Sequence, residues 1–311
     1  MITTVFQDFL TTHITPSPDV CDRALQSRQF YLARLEALAA QNPDFPALAP
    51  QHLDTSPLFR KTQIRPLQQL SLLLLLQAPK LETNPSPIFP QVYWLKLTEL
   101  ESPLSRYRDE HDYFSSTLLL QGLGNYCKGL RPIKSWLEAD ALCWQRRGDA
   151  WLLQLIPTIL VQDQRGQALY DLVPDGSGNW RRSPERKRLA QLQAVNVRYQ
   201  GQVLPLVRLL QYWRQQVGLA IAASDWEALI VQVLSQHKGS FTGFPAGLLC
   251  FWQGCQGLSL GSEDKMILNH AAQAAALAEQ AIADADEGKV DAALELWQQI
   301  FGAVFGGDES D

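Results

Sequence analysis

SPLFRKTQIRPLQQLSLLLLLQ, residues Ser56–Gln77, is the stretch around which the chain is organised. Its first half, Ser56–Pro66, is polar and basic, with Arg60, Lys61 and Arg65 crowded ahead of a proline. Its second half, Leu70–Leu76, is apolar apart from Ser71. A short apolar run behind a proline-bearing turn reads as a strand buried on both faces or as a segment of buried helix. Leucine is only a fair strand former, so the run by itself leaves both readings open.

At 311 residues the chain is long enough for one large core or two lobes. A net charge of -5 gives no bulk attraction to phosphate backbones, and there is no strong nucleic-acid signal. Five cysteines (Cys21, Cys127, Cys143, Cys250, Cys255) lack paired metal spacing and read as reduced thiols. The first residues carry an acid, Asp8, and no basic leader, and the apolar run 70–76 is far too short to span a bilayer. The expectation is a cytoplasmic protein with no membrane contact.

The pattern along the chain predicts two N-terminal helices, Thr4–Thr12 and Asp19–Ala40, split by Pro16 and Pro18. Proline-rich stretches over 41–50 and 78–90 read as loops, and Gln91–Leu97 as a strand or a helix start. His111–Tyr126 is a predicted helix. Trp136–Gln145 and Ala150–Val161 read as a strand pair joined by Arg146-Arg147-Gly148-Asp149, a polar turn containing glycine. Helices dominate from Ser183, with Leu206, Leu209, Leu210 and Trp213 forming a stripe of helical period. Gly239–Gly261 is a predicted loop. Two closing helices, Ile267–Asp286 and Val290–Phe301, precede a frayed tail, Gly306–Asp311.

The wording around Thr62–Leu74 resembles the signature strand of the bacterial cGAS-like CD-NTases, the cyclic-oligonucleotide synthases. Those proteins typically read G-S-Y-A-R-G-T-x-I-R-P-L-S-D-I-D-L-L-L. Thr62, Ile64, Arg65, Pro66, Leu67 and Leu72–Leu74 match. VLPLVRLLQYWRQQ resembles the family's "lvRllKyW" helix. Trp297, Ile300, Phe301, Gly302 and Phe305 match its closing module, and the resemblance makes Val173–Pro184 the family's loop after its third strand. The resemblance implies an α+β, two-lobed nucleotidyltransferase (Pol β-like) fold with a cleft between the lobes. The lobes are expected to be a mixed-sheet lobe over residues 1–182 and a helical lobe over 183–305, with a disordered tail, 306–311.

The catalytic letters of the family differ here. Its Gly-Ser pair is Ser56-Pro57, and the glycine before the threonine is Lys61. Its two metal-binding aspartates are Gln69 and Ser71, and the third, on a neighbouring strand, is Gln154. The lysine that reaches the triphosphate in active relatives is Gln211, and the phosphate-contacting serine is Ala223. Two-metal nucleotidyl transfer needs hard anionic oxygens around paired magnesium ions. Three neutral side chains offer no charge to match, and proline removes a backbone donor where phosphate would approach. The expectation is therefore a catalytically inactive CD-NTase-like protein with no metal cofactor. The resemblance implies a bacterial anti-phage setting, with a nucleotide or cyclic oligonucleotide, or a protein partner of a defence operon, as what it binds.

Other readings remain beside this one. Gln69, Ser71 and Gln154 read equally as parts of a retained ligand pocket or as satisfied polar residues in a collapsed one. Arg60, Lys61, Thr62, Arg65 and Gln211 are the candidate ligand contacts, because guanidinium and ammonium groups suit phosphate. The same charges could face solvent or pair with Asp54. The alternative function is an active Mg-dependent nucleotidyltransferase with a rearranged acidic site of Glu138, Asp140 and Asp171. In that reading Glu138 and Asp140 share a strand, and Asp171-Leu172-Val173-Pro174 supplies the third acid.

Overall fold

The apolar run resolves as a strand. In the computed structural model, which describes residues 1–77, 81–99, 101–128, 130–163, 165–257 and 265–307, its side chains alternate between two apolar clusters. Leu70, Leu72, Leu74 and Leu76 enter the larger one, and Leu73 and Leu75 the smaller. A leucine is therefore needed at nearly every position, and each burial contributes about 1.5–3 kcal/mol.

In chain order the first elements are α1 (Ile2–Phe9), which continues as a π-helical turn over Leu10–Ile14, then α2 (Pro18–Gln41), β1 (Leu53–Asp54), α3 (Pro57–Arg60) and β2 (Gln69–Leu76). Next come β3 (Leu81–Pro85), β4 (Val92–Leu97), α4 (Ser116–Cys127), β5 (Ile133–Leu137), β6 (Leu142–Arg146), β7 (Leu152–Gln162), β8 (Ala168–Pro174) and β9 (Trp180–Ser183). Among the described residues six helices follow: α5 (Glu185–Arg198), α6 (Val203–Gln216), α7 (Ala223–Gln236), α8 (Gly243–Gln256), α9 (Lys265–Asp286) and α10 (Val290–Phe301).

The chain divides into two units. One comprises Pro18–Phe59 and Leu67–Lys187, the other Met1–Ser17, Arg60–Pro66 and Arg188–Asp311. The expected single cut near residue 183 thus changes in two places. α1 with its π turn, and the segment 60–66, belong with the C-terminal helices because Phe6, Phe9, Leu10, Ile14 and Ile64 lie in their core.

The first unit is a mixed nine-stranded sheet among the described residues, ordered β1-β2-β7-β8-β9-β4-β3, with the β5–β6 hairpin attached through β6 to β7. β2 runs parallel to β7 over the whole length from Gln69↔Leu152 to Leu76↔Ile159. On the other side of β7, β6 pairs at Leu153–Leu155 and β8 at Ile159–Gln162. Pro157 falls between those two ladders, where a residue without an N–H is tolerated.

The second unit is helical. Its core holds Trp213, Trp226, Trp252 and Trp297, all buried. α1 adds Phe6 and Phe9 edge-on to Phe305, with ring centroids 4.8 and 5.0 Å apart. α8 stands where a loop was expected. A Cβ on Gly254 would lie 2.4 Å from Val233 Cγ1 and one on Gly247 2.9 Å from Phe241, so these glycines allow close approach within a packed helix.

Four other expectations change. The proline-rich stretch 78–90 contains β3, whose Pro85 ends an edge strand. α4 begins only at Ser116, where the Ser115 hydroxyl accepts from Leu118 N. Trp136–Gln145 is two strands, with Glu138 and Asp140 in the turn closed by Glu138 N to Ala141 O at 2.9 Å. Val173–Pro184 includes β9, paired to β8. Of the expected tail, residues 308–311 lie outside the described residues.

Lys61 has a left-handed backbone, φ 60°. The chain thus keeps, with a lysine, the conformation in which glycine is favoured. Lys61→Gly is expected to raise stability by about 0.5–1 kcal/mol, because relief of the left-handed penalty of about 1–2 kcal/mol exceeds glycine's extra unfolded-state freedom. Thermal unfolding measures it, and a lowered midpoint would refute the assignment of strain.

Candidate functional site

The parallel register sets Ser71 directly beside Gln154. Gln69 precedes Ser71 by two positions, so strand alternation places it on the same face. The three side chains converge. Gln69 Nε2 donates to Gln154 Oε1 at 2.7 Å and to Ser71 Oγ at 3.0 Å, and Ser71 Oγ donates to Gln154 Oε1 at 3.4 Å.

Two further residues join them. Gln154 Nε2 donates to Glu138 Oε2 at 3.2 Å, from the β5–β6 turn. Cys143, fully buried, is the register partner of Gln154 on β6. Burial, then its hydrogen bond to Glu138 and that residue's charge, push the Cys143 thiol up to about 12. It is protonated at neutral pH and donates toward the carboxylate. Glu138 thus carries the single negative charge of the cluster and receives neutral donors. Sequence reasoning placed Glu138 on a strand and so missed its contact. The short polar stretch Glu138–Asp140 between two apolar runs was the available turn signal.

This donor set does not fit a pair of magnesium ions. The inward-facing groups include both amide NH2 groups, which donate rather than ligate, and one carboxylate stands where three would be needed. The acids of the alternative reading do not meet either. Glu138 is held by Gln154, and Asp140 pairs with Arg181 at 3.4 Å. Asp171 is fully buried and takes two bonds of 2.9 Å from Arg186. Among the described residues no group of three His, Cys, Asp or Glu is placed to hold a metal ion.

Ser56 is buried, and its Oγ has no hydrogen-bond partner. Pro57 begins α3, a position where a missing N–H matters little. The Gly-Ser turn of the family is here a short helical start. The other candidate ligand contacts are engaged within the helical unit. Arg60 pairs with Glu227 at 3.2 Å, and Thr62 donates to the same carboxylate at 2.6 Å. Arg65 donates to backbone carbonyls of Thr11, Thr12 and Thr15. Gln211 Nε2 donates to Ala223 O at 2.8 Å, while its Oε1 is buried without a partner. Asp54, a candidate partner for the Ser56–Pro66 cations, pairs instead with Arg28. Lys61 is exposed.

No family model matches the chain. A "probable cyclic nucleotide synthase" of Bacillus cereus (strain VD146) is 25% identical over 172 residues, 50% of this chain and 52% of that protein. The match therefore spans about half the length of that relative. Among solved structures, E. coli MS115-1 CdnC with ATP aligns over 99% of both chains with a TM-score of 0.69 at 14% identity. CdnC in its complex with HORMA-deltaN aligns over 99% of both chains with a TM-score of 0.68 at 13% identity. The fold is the α+β nucleotidyltransferase fold that the resemblance implied. The chain is thus similar to CD-NTases in fold and, over about half its length, in sequence. No helix among the described residues is long and apolar enough to cross a membrane.

Proposed function

We propose that this chain is a non-catalytic CD-NTase-like protein that acts by binding, as a nucleotide-responsive or regulatory component of bacterial anti-phage signalling of the cyclic-oligonucleotide type. The observation that carries the reading is the closed hydrogen-bonded set Gln69–Ser71–Gln154, which the resemblance sets against the family's metal-binding aspartates. Clustered carboxylates without metal repel one another. Amides and a hydroxyl remove that repulsion and satisfy each other, which suits a scaffold retained without turnover. CdnC has been solved with ATP and in complex with HORMA-deltaN, which supports a nucleotide ligand and a protein partner as the classes to test.

Incubation of the purified protein with labelled NTPs and Mg or Mn is the direct experiment. The expected outcome is no oligonucleotide product above background. Robust synthesis that disappears in Asp140→Ala would replace this reading with the acidic-site alternative.

A further inference from the structure

We propose that Arg65, Arg208 and Thr15 form an anion site on the helical unit that takes a phosphate group. Arg208, on α6, donates from Nη1 to Thr15 Oγ1 at 2.8 Å. Arg65 donates from Nε to the carbonyl of the same threonine at 2.5 Å and from Nη1 to Thr12 O at 2.5 Å. Two guanidinium groups therefore meet at one residue. Neither has a carboxylate partner among the described residues.

The negative charge nearby is that of a helix end. α1 and its π turn finish at Ile14, and their last carbonyls face Arg65. A helix C-terminus carries about half a unit of negative charge, set here against two full positive charges. Arg65 is thus accounted for as a helix cap, and Arg208 is left in excess. The Arg208 Nε is buried with no hydrogen-bond partner, and among the described residues only its Nη1 donates a hydrogen bond. Burial pulls its pKa below the ordinary arginine range, with no acidic neighbour to offset the shift. A half-buried guanidinium lacking a counter-ion costs stability unless an anion supplies the missing charge.

Phosphate is the anion that the donors match. A planar guanidinium presents two parallel N–H groups to two phosphate oxygens, giving bonds stronger than those of neutral donors. Thr15 Oγ1 accepts from Arg208, so its own O–H remains available to a phosphate oxygen. Two arginines that serve only the helix end would show no such affinity.

Calorimetry on the full chain without added divalent metal tests the site, with inorganic phosphate, ATP and adenosine as probes. Phosphate and ATP are expected to bind and adenosine not to. Arg208→Gln is expected to weaken both by at least tenfold while the thermal unfolding curve shows a folded protein. Tighter binding of ATP than of inorganic phosphate assigns a nucleotide's phosphate, and equal binding assigns the free ion. Should Arg208→Gln fail to fold, Arg208→Lys keeps the charge without the fork and is expected to weaken binding at least threefold. The site is refuted by absence of phosphate binding, by adenosine binding as tightly as ATP, or by unchanged affinity in the folded Arg208 variant. ATP binding that survives Arg208→Gln refutes this site while leaving the proposed function untouched.

Discussion

Glu227→Ala is expected to destabilise the protein by about 3–5 kcal/mol, because removing one partner of a buried pair leaves the other charge buried. The side chains of Arg60 and Glu227 are 5% and 6% exposed, and their closest atoms are 3.2 Å apart. Thr62 adds a hydrogen bond of 2.6 Å to the other carboxylate oxygen. The pair fastens the segment 60–66 to α7, both parts of the helical unit. Alanine abolishes the counter-charge and the acceptor for Thr62 together. Glu227→Gln keeps the shape and an acceptor and is expected to cost less, about 1–3 kcal/mol. Replacing Arg60 by Met and Glu227 by Leu at once is expected to be nearly neutral, since a well-packed apolar pair escapes the desolvation penalty. Urea denaturation of the three variants measures the ordering. A Glu227→Ala loss below about 1 kcal/mol would mean that water reaches Arg60 in solution, as for an exposed pair.

That node also shows where the sequence was legible. Thr62 was visible as a position of the family resemblance, and Arg60 as one of the crowded cations ahead of the proline. Their meeting at Glu227 was not, because 165 residues separate Thr62 from Glu227 and no local periodicity encodes such a contact. Strand β7 could be read from its apolar run beside a polar turn, and β2 only once its wording resembled a family strand; strand alternation then fixes which residues share a face. Gln69, Ser71 and Gln154 follow from that alternation and the register. Glu138 and Cys143 do not, since they join the cluster through the exact bounds of a hairpin turn. α8 was hidden for the opposite reason. Gly243, Gly247 and Gly254 weaken helix propensity locally, while the packing that Gly254 permits against Val233 and Gly247 against Phe241 favours the helix only once the tertiary structure exists.

Restoring acids at the polar cluster is the second large effect. The triple variant Gln69→Asp, Ser71→Asp, Gln154→Asp is expected to be about 2–4 kcal/mol less stable than the parent at neutral pH without divalent metal. Each like-charge neighbour raises a carboxyl pKa by about a unit or more, and a unit is about 1.4 kcal/mol. The lost bonds among the amides and hydroxyl add about 0.5–1.5 kcal/mol each, partly offset by hydration at this half-exposed face. Glu138 contributes further repulsion, since it loses the Gln154 donor 3.2 Å away. The pH dependence has a definite sign. Carboxyls whose folded pKa is raised bind protons more tightly in the native state, so the penalty vanishes below their unfolded pKa near 4 and grows as pH rises through the folded pKa. Magnesium or manganese at ten times its dissociation constant is expected to return about 1.4 kcal/mol to the triple variant and nothing to the parent. Thermal unfolding across pH, with and without metal, reads both effects. A triple variant as stable as the parent at neutral pH and indifferent to metal would mean that these three positions do not converge in solution, and the proposed non-catalytic reading would lose the observation that carries it.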